Sequence, residues 1–199
     1  MLLTILIPTI TGREHLLSAL IDKLSMQIIE CEATSSVEVA YLPDNKEMTI
    51  GAKRQELLNG CKSEYFVMID DDDTVSDSYI EDVILALEGR PDCVTYLEAV
   101  RTGNKEAIAS HRAIYAGWDN NKHGYAYVRT PYYKDVIKTE IAKQVGFNDI
   151  RYGEDHDFSE RLKQSGLIKT EVHLPQIMYI YNAPSALNGR QHKERYGIR

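Results

Sequence analysis

The sequence predicts an α/β domain built on a mostly parallel sheet with helices on both faces. Through residues 1–100, short apolar, β-branched runs alternate with amphipathic stretches, the pattern of a parallel sheet whose strands are joined by helices. The chain has 199 residues, of which 43% are hydrophobic and 27% charged, so it is long enough for one core and too apolar to stay disordered. At that length folding buries roughly 70% of the unfolded chain's surface, so neither disulfides nor a structural metal are needed. No internal repeat, low-complexity tract or linker interrupts it, and one domain over residues 1–199 is expected.

Residues 2–7 are a buried strand of Leu and Ile, ended near Pro8. A helix follows over 13–28, where Leu16, Leu17, Leu20, Leu24 and Ile28 recur at helical spacing. Residues 37–42 form the second strand and 51–61 the second helix. The third strand, 65–69, runs straight into Asp70-Asp71-Asp72-Asp73. Ser78 and Glu81 have capping-box spacing and start a helix that ends near Gly89-Arg90-Pro91. Residues 93–97 are the fourth strand, and the turn Thr102-Gly103-Asn104 returns the chain as a strand over 107–111. Residues 115–133, rich in Tyr, Gly and Asn and holding the single Trp118, read as loop or short strand. Helices are expected over 133–145 and 155–164, ended by Gly146 and Gly166. Short strands at 172–174 and 177–181 precede a polar tail, 183–199.

With 23 basic and 30 acidic residues the net charge is −7, so no global basic field draws the chain to nucleic acid or anionic lipid. Cys31, Cys61 and Cys93 are odd in number and lack C-x-x-C or zinc-type spacing, which fits reduced thiols in a cytoplasmic protein. Residues 1–7 resemble a signal-peptide start, but there is no basic n-region and Pro8 interrupts them. No apolar run approaches the ~20 residues of a membrane span.

Four consecutive aspartates directly after a buried strand are the most informative feature. Adjacent like charges repel by ~1 kcal/mol even in bulk water at about 4 Å, so something at the end of the sheet must offset them. The carboxyl ends of parallel strands are where such sheets bind ligands. Mg²⁺ and Mn²⁺ prefer carboxylate oxygens and usually bind through one or two of them plus substrate phosphates. The run therefore reads as a metal-diphosphate site, with a solvated acidic turn as the alternative. Gly153-Glu154-Asp155 opens a later helix and offers a carboxylate for general-base work, though the helix dipole alone also favours acids there. Gly51-Ala52-Lys53-Arg54 opens another helix, whose N–H groups and cations suit a phosphate. The alternative is a solvated basic helix face, and no Walker or G-x-G-x-x-G loop is present.

In that order these residues resemble the family 2 glycosyltransferases of the GT-A fold, a Rossmann-like architecture. Ile5-Leu6-Ile7-Pro8-Thr9 with Arg13 is similar to the family's opening strand and turn. Leu42-Pro43-Asp44-Asn45 stands where the family carries an Asp on the nucleotide base. Gly51 to Leu57, Tyr65 to Asp73 and Gly153-Glu154-Asp155, with Phe158, Arg161 and Leu162, match further motifs.

The resemblance implies a metal-dependent, inverting transfer of a sugar from a nucleoside-diphosphate sugar, most simply a UDP-sugar, to an acceptor hydroxyl. Residues 1–100 would bind the donor, 101–182 would carry the acceptor and catalytic half, and 183–199 would be a lid or tail. Pro8 and Thr9 would lie at the nucleotide, Asp44 at the uracil, and Lys53 and Arg54 beside them. Asp70 and Asp71 would lie towards the ribose, Asp72 would ligate Mn²⁺ or Mg²⁺, and Asp155 would deprotonate the acceptor.

Gln55 and Pro43 depart from the family pattern. The third protein ligand to the metal is His173, His192 or none. Trp118 with Tyr115, Tyr125, Tyr127, Tyr132 and Tyr133 would offer an acceptor platform or else pack under a loop, and residues 179–185 would form a lid. The acceptor is open among glycan, lipid-linked sugar, protein and nucleic-acid base, the last disfavoured by the net charge. A partner chain or second copy has room to complete that side. The rival readings are a degenerate nucleotide- or glycan-binding module and a sugar-1-phosphate nucleotidyltransferase, whose Gly-rich loop Thr9-Ile10-Thr11-Gly12-Arg13 replaces poorly.

Overall fold

A computed structural model describes residues 1–183. In chain order the elements are β1 (Leu3–Ile10), α1 (Glu14–Glu30), β2 (Val37–Asp44), α2 (Ile50–Gly60), β3 (Tyr65–Met68), β4 (Thr74–Val75), α3 (Tyr79–Leu87), β5 (Cys93–Thr102), β6 (Lys105–His111), β7 (Asp119–Lys122), β8 (Tyr125–Arg129), β9 (Val136–Lys138), α4 (Thr139–Val145), α5 (Glu154–Ser165) and β10 (Glu171–Asn182). One sheet runs β2-β1-β3-β9-β5-β6-β8-β7, with β10 pairing both β4 and β5. Strands β1, β2 and β3 are mutually parallel, and β5 with β10 is parallel as well. β9 lies antiparallel between β3 and β5, so the sheet is mixed but mostly parallel where the aspartate run leaves it.

The strand period of two sorts the core into two layers. Leu3, Ile5 and Ile7 of β1, with Tyr65 and Val67 of β3, face Leu20, Leu24 and Ile28 of α1 and Ile80 and Val83 of α3. Leu6, Phe66 and Met68 point the other way, onto Leu57 and Leu58 of α2, Ile141 of α4 and Phe158 and Leu162 of α5. Helices therefore cover both faces, as the alternating pattern predicts. Among the described residues no helix is long and apolar enough to cross a membrane.

Four expectations are corrected. Residues 133–138 are not helical: Val136–Lys138 is inserted between β3 and β5, and the helix starts only at Thr139. Ser78 makes no capping bond, because its Oγ donates instead to Asp82 Oδ2 at 2.6 Å. The strands expected at 172–174 and 177–181 are one strand, β10, carrying irregularities between Leu174 and Tyr179. Residues 179–182 are therefore sheet rather than lid, paired with β4 and β5. Residues 184–199, with His192 and the rest of the expected lid and tail, lie outside the described residues.

Candidate active site

The carboxyl ends of β1, β2 and β3 lie side by side, placing Thr9, Asp44 and the aspartate run in one cleft. The run is held together by giving its aspartates partners from distant elements. Asp70 takes Arg54 Nη2 at 3.0 Å and the Tyr133 hydroxyl at 2.9 Å. Asp71 takes the Thr9 hydroxyl at 2.6 Å and Arg13 Nη1 at 2.7 Å. Asp73 takes the Tyr179 hydroxyl at 2.7 Å and the Asn182 N–H at 2.9 Å, with Lys134 Nζ at 3.5 Å. Among the described residues the Asp72 carboxylate meets only Arg13, at 3.0 Å, and stays 39% exposed, while the Asp72 carbonyl accepts Asn182 Nδ2 at 2.9 Å.

These settings act differently on Asp70, Asp72 and Asp73. Burial alone would raise Asp70, but Arg54 and Lys134 hold it below the ordinary carboxylate range. Burial lifts the Asp73 carboxyl to about 7, against the pull of Lys134 and with Asp70 adding to the rise. Burial also raises Asp72, opposed by Arg13 and reinforced by the neighbouring charges of Asp70 and Asp71. A cation at Asp72 would relieve that repulsion. Binding a divalent ion through one carboxylate plus a diphosphate is the usual mode for Mg²⁺, and the donor chemistry of Asp72 fits it. Among the described residues there is no cluster of three His, Cys, Asp or Glu side chains that would cage a metal without substrate.

His173 lies away from Asp72: its Nδ1 meets Thr95 Oγ1 at 3.1 Å, and the β5 residues paired from His173 to Asn182, Thr95 to Arg101, span roughly 20 Å at strand spacing.

The start of α2 also differs from expectation. Its N–H groups are already used: Ala52 N–H donates to the Thr49 hydroxyl at 3.0 Å and Gly51 N–H to the Ile150 carbonyl at 3.1 Å. The two cations beside them point inward. Lys53 is buried, donating to the Thr9 carbonyl and to Asp44, whose other oxygen accepts the Met48 N–H at 2.8 Å. Arg54 is buried too, with its guanidinium 3.4 Å above the Tyr133 ring. The phosphate reading of this helix start is therefore replaced by a structural one: Lys53 fixes Asp44, and Arg54 fixes the aspartate run. Pro8 is buried within β1 beside Leu42.

Arg54 also joins the run to α5. Besides Asp70 it reaches Glu154 Oε1 through Nε at 3.4 Å. Gly153, at φ 77°, turns the chain into α5 in a conformation that favours glycine. Of the acids in that first turn, Glu154 is buried on Arg54, and Asp157 is paired with Arg161 at 2.7 Å. Asp155 is half-buried, and among the described residues no cation pairs with it. It directly follows Glu154, whose carboxylate meets the same Arg54 guanidinium that holds Asp70, so it stands where α5 adjoins the aspartate run.

A wall of aromatic rings runs outward from there. Tyr133 meets Tyr132 at 5.1 Å, Tyr132 meets Trp118 at 5.2 Å, and Trp118 meets His156 at 5.1 Å, all edge-on. Tyr115 instead stacks on His123, at the edge of a small cavity it shares with Trp118 and Lys122.

Three tight fits explain the motif residues. A Cβ on Gly51 would stand 2.0 Å from the Asn148 carbonyl oxygen, so only glycine lets the loop before α5 lie against α2. Gln55 Oε1 accepts the Phe147 N–H at 2.6 Å, anchoring the same loop from the next turn. Thr49 donates to Asp149 at 2.5 Å. Gly51→Ala is expected to lower stability by about 1–3 kcal/mol, the usual cost of overpacking, and to displace Asp155. An unchanged melting temperature would refute this role.

The sequence reading does not find Glu154, Tyr133, Lys134, Tyr179 or Asn182 as supports of the site, nor Arg13 as a partner of the run. Arg13 stands within a recognisable motif, which is a usable signal. The others meet their partners only through the tertiary fold, up to 110 residues away in sequence.

The glycosyl transferase family 2 model matches residues 22–152, which include Asp44, Lys53, Arg54 and the aspartate run. No curated protein matches the chain. Among solved structures, S. aureus TarS 1-349 in complex with UDP-GlcNAc superposes with a TM-score of 0.64 at 14% identity, over 100% of this chain and 61% of that one. The same protein in complex with UDP gives 0.63 at 15% identity, over 98% of this chain and 63% of that one. A further S. aureus TarS structure gives 0.61 at 15% identity, covering 92% of this chain and 37% of that one. These likenesses show a shared fold, and the chain spans between about a third and two thirds of the length of the structures it matches.

Proposed function

The chain belongs to glycosyl transferase family 2, and from that premise we propose that it moves a sugar from a UDP-linked donor to an acceptor hydroxyl with inversion at the anomeric carbon. The observation that carries this reading is the Arg54 guanidinium. It joins Asp70, at the donor end of the sheet, to Glu154, at the start of α5, and leaves Asp72 and Asp155 accessible beside it. The UDP and UDP-GlcNAc complexes of TarS, which share this fold, support the choice of nucleotide.

In this mechanism Asp44, fixed by Lys53 and the Met48 N–H, receives the base of the donor. Asp70 and Asp71, locked by Arg54, Tyr133, Thr9 and Arg13, face the ribose side. Asp72 would hold a divalent ion, Mn²⁺ or Mg²⁺, which when bound neutralises charge on the departing diphosphate. Asp155 accepts the proton of the acceptor hydroxyl as its oxygen attacks the anomeric carbon, and the nucleoside diphosphate leaves from the opposite side. The partly exposed Trp118, backed edge-on by the buried Tyr132, would line the approach of the acceptor.

Asp72→Ala tests the metal role. It is expected to remove the Mn²⁺ dependence of UDP affinity in calorimetry while the fold persists, because among the described residues this side chain's one partner is the half-exposed Arg13, which keeps its bond to Asp71. UDP affinity that still responds to Mn²⁺ as in the parent protein would contradict the assignment.

A further inference from the structure

Among the described residues, Arg13 is the one cation that touches the aspartate run from the solvent side. It sits just beyond the turn at Gly12 (φ 92°), at the start of α1. Its Nη1 lies 2.7 Å from Asp71 Oδ1 and 3.0 Å from Asp72 Oδ2, a single nitrogen bridging two carboxylates. The other cations of the cleft are locked in: Lys53 is 4% exposed, Arg54 3% and Lys134 5%, whereas Arg13 is 39% exposed. Arg54 and Lys134 also carry ring contacts on Tyr133 and on Tyr179 and Tyr181. Among the described residues the Arg13 side chain holds only the two carboxylates, and it can leave the half-exposed Asp72 while staying on the buried Asp71.

We propose that Arg13 is a resident counter-cation of the donor site, which neutralises Asp71 and Asp72 until a metal-diphosphate arrives and then passes from Asp72 to the phosphates. The inference rests on the reading of Asp72 as the metal-binding carboxylate. The reason is competitive. One of the two Asp72 oxygens, Oδ2, is already paired with the guanidinium, so a bare ion must bind beside a cation that repels it or displace that cation. A metal-diphosphate brings its own anions, to which a freed guanidinium pairs strongly and bidentately. The exchange therefore favours metal bound with nucleotide over metal alone, and makes Arg13 a residue that sets the order in which the site fills. While the site waits, the same cation keeps the adjoining aspartates from repelling one another apart.

The test is calorimetric titration at low ionic strength, so that surface charges are not screened. Mn²⁺ alone, and UDP in saturating Mn²⁺, are titrated into the parent protein, Arg13→Gln and Arg13→Lys, with a thermal melt confirming that each variant is folded. Arg13→Gln is expected to bind Mn²⁺ alone about five-fold more tightly, the scale of a half-exposed ion pair. It is expected to bind UDP in Mn²⁺ about ten-fold more weakly, having lost a charged hydrogen bond to phosphate. Arg13→Lys keeps the charge without the fork and falls between the two on both measures. The opposite signs are the diagnostic, because a merely structural role for Arg13 would weaken both. Shifts in the same direction, or an unchanged Mn²⁺ affinity with undetectable binding in both proteins included, overturn the proposal. If the parent protein binds UDP no better in Mn²⁺ than in EDTA, the metal reading of Asp72 fails first and this inference falls with it.

Discussion

Asp155→Asn should lower the rate of sugar transfer by ~10²–10⁴, the range for loss of a general base, while UDP affinity stays essentially unchanged. The prediction follows from how the first turn of α5 is shared out. Glu154 is committed to Arg54 and Asp157 to Arg161 and Asn148, so neither is available to an incoming hydroxyl. Among the described residues the Asp155 carboxylate accepts one hydrogen bond, from the adjacent His156 N–H at 2.8 Å, and an Asn carbonyl oxygen can accept the same bond. The substitution therefore removes basicity and leaves the fold in place. Equal losses in transfer and in UDP binding would mean that Asp155 supports the donor site instead.

The second large effect is on stability. Arg54→Met should cost about 3–5 kcal/mol, the usual penalty for removing one partner from a buried ion pair. Arg54 is 3% exposed and is the cation shared by Asp70 and Glu154, the latter 9% exposed. Met preserves much of the volume and can still lie on the Tyr133 ring, so the loss reports the uncompensated carboxylates rather than a cavity. Arg54→Lys should recover only part, since one ammonium cannot span both partners as the guanidinium does. In a urea titration the midpoint should fall strongly for Met and less for Lys. A Met variant within about 1 kcal/mol of the parent would show that the buried carboxylates find other compensation.

The first half of the chain was legible because its information is periodic. Short apolar strands, and helices with Leu and Ile at regular intervals, announce β1, α1, β2, α2, β3 and α3, whereas the two-residue β4 is unannounced and exists through its pairing with β10. The second half obeys longer-range forces. The stretch 133–138 reads as helix by local preference, yet the buried charges decide its form. Lys134 bonds Glu98 at 2.7 Å and Asp135 meets His111 at 3.0 Å, while Phe66 and Cys93 both pair with Ile137. His111 is raised to about 9: burial lowers it, and Asp135 and Glu98 more than reverse that. No pattern within residues 133–138 announces partners on β3, β5 and β6.

The site divides in the same way. Acids placed at a strand end and at a helix start are visible as chemistry, which is why the aspartate run and Gly153-Glu154-Asp155 stand out in the sequence. The cations that make them tolerable are not, because Lys53 and Arg54 look like solvated helix residues until the fold turns them inward. Gly51 shows the same limit. In sequence it suggests a helix start suited to phosphate, whereas in the structure it is the space required by the Asn148 carbonyl. The segment 179–182 fails as a lid because Asp73 holds it at both Tyr179 and Asn182.

The most direct test of the central claim is calorimetric titration of UDP, GDP, CDP and dTDP into the protein, first in Mn²⁺ and then in EDTA. The account predicts that UDP binds in Mn²⁺, that EDTA abolishes or strongly weakens this binding, and that the other diphosphates bind more weakly. Absence of binding by every diphosphate in either condition would contradict a UDP-sugar site built on Asp44, the aspartate run and a metal at Asp72.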